Sequence, residues 1–239
     1  MHKYKIHNPE LKNLRVVFTA DFHVYKRQHK RLAKTVEKIN AQKPDIVLLG
    51  GDFVRTDSPE KSMDIETIAQ YLGQIKPKYL TAAVLGNHDY AYSVPLVIKA
   101  LSQNNIKVLM NENVSVNSGN KKIFVAGVED AWWGEPDIDK ALKNAKKPII
   151  LLSHNPDLFP EIPSHVDLTL CGHTHGGQVV LPILGIMGTK FVPLKHGNKY
   201  VRGFIEEDNK KMIVTNGLGT SIFPVRFNAF PEIVVIDFY

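Results

Sequence analysis

Five apolar runs in the sequence each break off into residues able to bind a cation. They are Asp21 and His23 in "LRVVFTADFHV", Asp52 in "PDIVLLGGDFV", Asn87 with His88 and Asp89 in "LTAAVLGNHDY", His154 in "KPIILLSHNPD", and His173 with His175 in "LTLCGHTHGG". One such ending carries little information, because strands must stop somewhere and Asp, Asn and Gly are ordinary turn formers. A lone histidine such as His154 is likewise more often a hydrogen-bonded structural residue than a ligand. Five endings in succession are harder to dismiss, since open α/β sheets bind ligands at the carboxyl ends of their strands.

Residues at i and i+2 of a strand project to one side, so Asp21 with His23 and His173 with His175 are each expected to act as a pincer on a cation. Two pincers leave room for more than one ion. Asp52 has two oxygens with which to bridge a metal pair, Asn87 offers an amide oxygen and His154 another nitrogen. Mixed carboxylate and imidazole donors suit Mn²⁺, Fe²⁺ or Zn²⁺ better than a site needing hard oxygen ligands alone. Glycines 50, 51, 86, 172, 176 and 177 let the chain turn beside these groups without crowding them.

The elements that must position them alternate in the first half. Strand-like runs at "LRVVFT", "DIVLL" and "YLTAAVL" are separated by helical stretches expected over residues 31–42 and 62–75, with another over 94–104. From about Lys107 the texture changes to short strands joined by an Asn/Ser/Gly turn, the signature of a hairpin. Buried runs ending in His154 and His173 follow, then "KYVRGFIEEDNKKMIVTNGLG" and "FPEIVVIDFY" read as antiparallel strands with a tight turn at Asp208 and Asn209. The expected fold is α/β, a two-sheet β-sandwich flanked by helices, forming one domain over residues 1–239.

The chain of 239 residues is 44% hydrophobic, enough for a sizeable core. Its first residues, "MHKYKIHNPELKNL", hold no continuous apolar stretch, so neither a signal peptide nor a membrane-spanning helix is expected there. A single cysteine, Cys171, rules out an internal disulfide framework. The net charge of +6 fits an anionic partner or simple solubility. Clustering favours the former: Lys26, Arg27, Lys30, Arg31 and Lys34 crowd one segment directly after His23.

The series "DFH", "GGD", "GNHD", "SH" and "GHTH", in this order over residues 21 to 175, resembles the calcineurin-like metallophosphoesterase superfamily. That resemblance implies a two-sheet sandwich with a dinuclear centre at the strand ends. Carried across, one metal takes Asp21, His23 and His175, the other Asn87, His154 and His173, and Asp52 is shared. It implies two divalent ions, Mn²⁺ first among Mn²⁺, Zn²⁺ and Fe²⁺, and phosphoester hydrolysis by a shared hydroxide. His88 is then expected to protonate the leaving oxygen, with Asp89 orienting it.

Substrate choice must be read from the surroundings. "GGQVVLPILGIMGTKFVPLKHG", residues 176–197, is apolar beyond what a short loop requires; it reads as a packed core loop or as a hydrophobic lip for an acyl chain or membrane. Arg27 and its basic neighbours read as a contact for phosphate headgroups or as a solvated helix face. Arg226 is shaped to grip a second phosphate, or is a structural arginine paired with Glu232. "GHTHGGQVVLP" with "GLGTSIFPVRF" resembles the bacterial branch that includes the YkuE and YaeI phosphodiesterases and the UDP-2,3-diacylglucosamine pyrophosphatases. The resemblance implies a phosphodiesterase or pyrophosphatase, cytoplasmic or peripheral on the inner membrane, acting on a lipid-linked nucleotide diphosphate such as UDP-2,3-diacylglucosamine. The alternative is a soluble hydrolase of nucleotides, nucleic acid or phosphoproteins, although no dedicated nucleic-acid-binding motif is present.

Overall fold

A computed structural model describes residues 1–119, 121–187 and 194–239. Residues 188–193 of the apolar stretch and Asn120 of the expected hairpin turn lie outside the described residues. Two six-stranded sheets form the frame. The first has the order β1 (His2–Ile6), β14 (Val234–Phe238), β2 (Arg15–Thr19), β3 (Ile46–Leu49), β4 (Leu80–Ala83), β5 (Lys107–Val108). The second runs β12 (Gly203–Glu207), β13 (Lys210–Val214), β9 (Leu168–Cys171), β8 (Ile149–Ser153), β7 (Lys121–Gly127), β6 (Glu112–Ser118). A two-stranded ribbon, β10 (Val180–Leu181) with β11 (Gly185–Ile186), stands apart from both.

Alternation along the strands explains the layering, because successive side chains face opposite sides of a sheet. Val16 and Phe18 of β2 and Ile46 and Leu48 of β3 point into a core shared with Val125, Ile150, Leu152 and Leu170 of the second sheet. Val17, Val47 and Leu49 point the other way, against α1 (His29–Asn40), α2 (Ile65–Leu72) and α4 (Val94–Gln103). Helix α1 meets them with Leu32, Val36 and Ile39, a spacing that lines one helical face. The outer side of the second sheet is covered by Ala141 of the short α5 (Ile138–Leu142) and by Leu158 and Ile162. The expected sandwich flanked by helices is therefore the fold. Among the described residues no helix is long and apolar enough to cross a membrane.

The helices run His29–Asn40, Ile65–Leu72 and Val94–Gln103, so the second is shorter than the expected 62–75 because Asp64 caps it, accepting from the Thr67 N–H at 2.7 Å. Asp208 and Asn209 both have positive φ, 51° and 59°, as a two-residue hairpin turn requires. Strand β1 was not expected, since "HKYKI" looks like a charged terminus; it is an edge strand whose partner, β14, comes from the far end of the chain.

Strands β2, β3 and β4 are parallel neighbours in one sheet, and β8 and β9 are parallel neighbours in the other. Their carboxyl ends deliver Asp21 and His23, Asp52, Asn87, His154, and His173 and His175. Asn87 begins α3 (Asn87–Tyr92).

Candidate metal centre

All seven side chains converge. Ligand atoms of Asp21, His23, Asp52 and His175 lie within 4.8 Å of one another, and all four residues are buried. His23 Nε2 stands 3.2 Å from His175 Nε2 and 3.3 Å from Asp52 Oδ2. On the other side of the same carboxylate, His154 Nε2 lies 3.4 Å from Asp52 Oδ2 and 3.3 Å from His173 Nδ1, which is itself 3.0 Å from Asn87 Oδ1. Asp52 thus sits between two poles, one of Asp21, His23 and His175, the other of Asn87, His154 and His173.

Of the two pincers expected from the sequence, Asp21 with His23 fall at one pole, whereas His173 with His175 do not form one. His173 and His175 belong to opposite poles, because β9 stops at Cys171 and both histidines leave it with positive φ, 71° and 53°. Asp21, His23 and Asp52 also have positive φ, at 53°, 38° and 56°. Such backbone costs about 1–3 kcal/mol per non-glycine residue and persists only where the surroundings over-determine it. Five such residues fall in this one cluster.

The backbone and burial set the protonation of the donor set. His154 Nδ1 lies 2.6 Å from the Gly50 carbonyl, which can only accept, so Nδ1 carries a proton and Nε2 is the nitrogen aimed at Asp52. Asp21 Oδ2 is buried with no hydrogen-bond partner. Burial pushes His23 down to about 4 and His173 down to about 3, against the pull of Asp52, and it holds His175 well below its ordinary value. These three imidazoles are neutral at pH 7, the state in which they can ligate. Burial also opposes charge on His154, but Asp52 beside it prevails and pushes it up to about 10. Burial, reinforced by Asp52, raises Asp21 to about 7. Imidazoles and carboxylates facing one another over 3.2–3.4 Å fit divalent cations between them.

Close approach of the backbone completes the cluster. A Cβ on Gly86 would collide with Asp52 Oδ1 and come within 2.6 Å of His154 Cε1. One on Gly217, where φ is +68°, would run into the Asp21 carboxylate.

Several residues take places other than those expected. Asp89 does not touch the His88 ring. Its carboxylate accepts from the N–H groups of Asp52 at 2.8 Å, Phe53 at 3.0 Å and Gly86 at 3.0 Å, tying the turn after β3 to the start of α3. The ring of His88 is held by Thr56, which the sequence did not single out: Thr56 Oγ1 is 2.6 Å from His88 Nδ1. Arg226 has no free donors for a phosphate and no ion pair with Glu232. Its five N–H groups go to the carbonyls of Asn216, Gly219, His175 and Ala229, so it fastens the loop after β13 to His175. Arg31 likewise turns inward, donating to Phe22 O and Leu218 O, and so leaves the basic segment. Arg55 is 2% exposed and donates to Thr220 O. Three arginines clamp one loop; only their proximity to the "DFH", "GGD" and "GLGT" blocks could have suggested it. Arg27 is exposed on the turn after His23. Trp132 packs its ring edge-on to His173 at 4.3 Å.

A cavity of about 620 Å³ lies at the opposite, amino-terminal end of β7 and β8, lined by Lys121, Lys122, Phe124, Lys146 and Lys147. It contains none of the seven residues, so chemistry rather than size singles out the metal cluster.

Comparison with known proteins gives the same direction. A family model described as calcineurin-like phosphoesterase matches residues 14–177. Phosphodiesterase YaeI of Escherichia coli (strain K12) is 30% identical over 228 residues, covering 93% of this chain and 81% of YaeI. The uncharacterized metallophosphoesterase YkuE of Bacillus subtilis (strain 168) is 30% identical over 210 residues, covering 85% of this chain and 71% of its own. Among solved structures, Haemophilus influenzae NAD nucleotidase (NadN) superposes with a TM-score of 0.57 at 17% identity, over 85% of this chain and 50% of the nucleotidase. At that identity the likeness concerns the fold, and this chain spans only half of that protein.

Proposed function

The chain belongs to the calcineurin-like phosphoesterase family and is a phosphoester hydrolase, and from that premise we propose that the seven clustered side chains hold two divalent cations that serve the hydrolysis of phosphodiesters or pyrophosphates. One ion is assigned to Asp21, His23 and His175, the other to Asn87, His154 and His173, with Asp52 shared. When bound, such a pair supplies Lewis-acid activation of the phosphoryl group and of water. Mn²⁺ is the first ion to test, with Zn²⁺ and Fe²⁺ compatible with the same donors. The observation that carries this reading is the placement of Asp52 Oδ2 at 3.3 and 3.4 Å from an imidazole nitrogen of each pole.

The remaining residues orient and protonate. Gly50 O keeps the Nδ1 proton of His154 and so aims its Nε2 inward. Main-chain His88 N–H donates to Asp52 Oδ1 at 2.9 Å, and the His88 ring stands edge-on to His23 with centroids 4.6 Å apart. From there His88 acts as the proton donor to the leaving oxygen. Both sheets contribute ligands, which supports residues 1–239 acting as one domain.

An amphiphilic substrate presented at a membrane surface is the preferred class, a lipid-linked nucleotide diphosphate being its specific form. Support comes from the rim: Ile183 is 96% and Phe230 75% exposed, and Leu184, Phe223, Val225 and Phe227 are exposed with them. The two loops carrying them are joined, since Gln178 Nε2 donates to Ser221 O and Phe223 O, and Val180 N to Phe227 O. Both adjoin His175 through Arg226. We read these exposed apolar side chains as the binding face. Arg27 is assigned to headgroup phosphate on the exposed turn after His23.

The test is hydrolysis by Mn²⁺-loaded protein of bis-p-nitrophenyl phosphate, of soluble nucleotide esters and of acylated nucleotide diphosphates in vesicles. The reading predicts turnover of the chromogenic diester that is lost in His88→Ala, and preference for acylated substrates. No turnover of any phosphoester refutes the metal assignment; turnover of soluble esters alone refutes the lipid class and leaves a soluble phosphodiesterase.

A further inference from the structure

Two large aromatic side chains stand out of the surface on the loop that follows β7. Trp132 is 40% and Trp133 61% exposed. Burying an indole is favourable, so an exposed pair implies either a ligand or a loop too loose to fold them in. The loop is not loose. The Asp130 carboxylate accepts from the N–H groups of Trp132 and Trp133 at 3.0 and 2.9 Å, and the Asp130 carbonyl accepts from Gly134 N–H at 2.9 Å. Glu129 accepts from Tyr90 Oη and from Asn111 Nδ2, each at 2.9 Å. Asn111 also donates to Glu135 O and accepts from the N–H groups of Glu129 and Asp137. Residues 129–137 are therefore pinned at both ends, and Tyr90 ties them to α3, the helix that begins with Asn87. A contact surface held in place before its ligand arrives loses less entropy on binding.

Position decides what this surface meets. Trp132 lies against His173, with ring centroids 4.3 Å and planes 84° apart. It borders the pole of Asn87, His154 and His173, whereas the apolar rim adjoins His175 at the other pole. Asp52 stands between the two. A lipid-linked nucleotide diphosphate has a flat aromatic end and an aliphatic end with its phosphates between them, and the borders of the site differ in the same way. The rim offers Ile183, Leu184 and Val225 to acyl chains, while an indole is a surface on which a nucleobase stacks.

We propose that Trp132 is a specificity-determining residue that stacks on the nucleobase of the substrate, so that the base lies at the His173 border and the aliphatic end at the rim. The inference rests on the reading of the site as a hydrolase of nucleotide-bearing diphosphates.

The test uses Mn²⁺-loaded protein with metal content measured in every variant. Rates are compared on two diphosphates that differ only in the base: the ethyl ester of uridine diphosphate and its counterpart with hydrogen in place of uracil. One aromatic stack on a base is worth about 5- to 150-fold, so Trp132→Ala should lower kcat/KM on the uridine ester by that much more than on the base-free ester, through KM. Trp132→Phe should retain most of the preference. A second readout needs no turnover. The chain's two tryptophans are Trp132 and Trp133, so in Trp133→Phe the emission comes from Trp132 alone. Uridine diphosphate should quench it saturably, and the base-free diphosphate should not. An equal loss on both esters in Trp132→Ala, or none, shows that the indole only packs His173 and overturns the inference, as does quenching that ignores the base. A blue-shifted emission on lipid vesicles with no response to uridine diphosphate gives the indole to the membrane and likewise overturns it. If wild type turns over no ester, the hydrolase reading fails separately, and base-dependent quenching then decides whether Trp132 contacts a base.

Discussion

His154 gives its Nδ1 proton to the Gly50 carbonyl at 2.6 Å, and Gly50 stands two residues before Asp52 in the turn that follows β3. One sheet therefore fixes the tautomer of a candidate ligand supplied by the other. Replacing His154 with Ala should remove one pole while leaving Asp21, His23 and His175 in place. We expect the metal content to fall from two ions to one per chain and diester hydrolysis to fall by at least about 100-fold, the upper end of what disturbing a ligand's supporting partner costs. Elemental analysis beside steady-state rates checks it; two ions retained would remove His154 from the set.

Metal binding should release protons. In the metal-free protein His154 is raised to about 10 and Asp21 to about 7, so both hold protons that a cation must displace. At pH 8 Asp21 has mostly lost its proton and His154 still holds its own, which predicts release of about one proton on loading and an affinity that climbs as pH rises toward 10. Titration calorimetry in buffers of differing ionisation heat measures this. No net release at pH 8 contradicts it.

The same groups set the pH dependence of metal-free stability. His154 binds a proton when folded that it lacks unfolded between 6.5 and about 10, so that stabilisation is present below 6.5 and is lost as pH rises through about 10. Raised Asp21 acts in the same direction, its penalty growing from 3.8 and complete above about 7. Depressed His23 and His173 act oppositely at lower pH: their contribution grows from about 4 and about 3 up to 6.5. The metal-free melting temperature should fall between pH 6.5 and 10, and saturating Mn²⁺ should reverse that slope; a flat metal-free profile across this window would contradict the assignment.

Gly86→Ala places a methyl group against Asp52 and His154. Overpacking of this kind costs about 1–3 kcal/mol, so the variant should fold yet lose metal from the pole formed by Asn87, His154 and His173. Calorimetric unfolding with metal analysis separates the two effects, and normal metal content would show that the cluster yields more easily than its contacts suggest.

Arg226→Lys distinguishes a clamp from a substrate grip. Lysine cannot reproduce five N–H groups directed at four carbonyls, and the loss should cost about 2–4 kcal/mol of stability. Thermal denaturation checks it. An unchanged melting temperature with a raised KM alone would return Arg226 to the substrate.

Much of this was legible because strand ends in parallel sheets are constrained: runs such as "IVLL" are buried on both faces, so whatever follows them is delivered to one edge. The convergence of Asp21, Asp52, Asn87, His154 and His173 follows from that rule. What escaped depends on backbone conformation or on the choice among local partners. The pincer geometry fails because His173 and His175 are past the end of β9 and left-handed, a state no side-chain pattern announces. Asp89 leaves its expected place because Asp52, Phe53 and Gly86 offer it three N–H donors, while the hydroxyl of Thr56, four residues beyond Asp52, reaches the His88 ring. Arg226 and Arg31 looked available for phosphate because sequence shows charge but not the carbonyls that consume it. Strand β1 was hidden for the opposite reason: an edge strand tolerates alternating lysines that make it resemble a loose terminus.

The central claim is tested most directly by anomalous-scattering crystallography of the Mn²⁺-loaded protein. Two peaks are expected, one contacted by Asp21, His23 and His175 and the other by Asn87, His154 and His173, with Asp52 touching both. Manganese bound elsewhere, or these seven side chains left without an ion at saturating metal, would contradict the account.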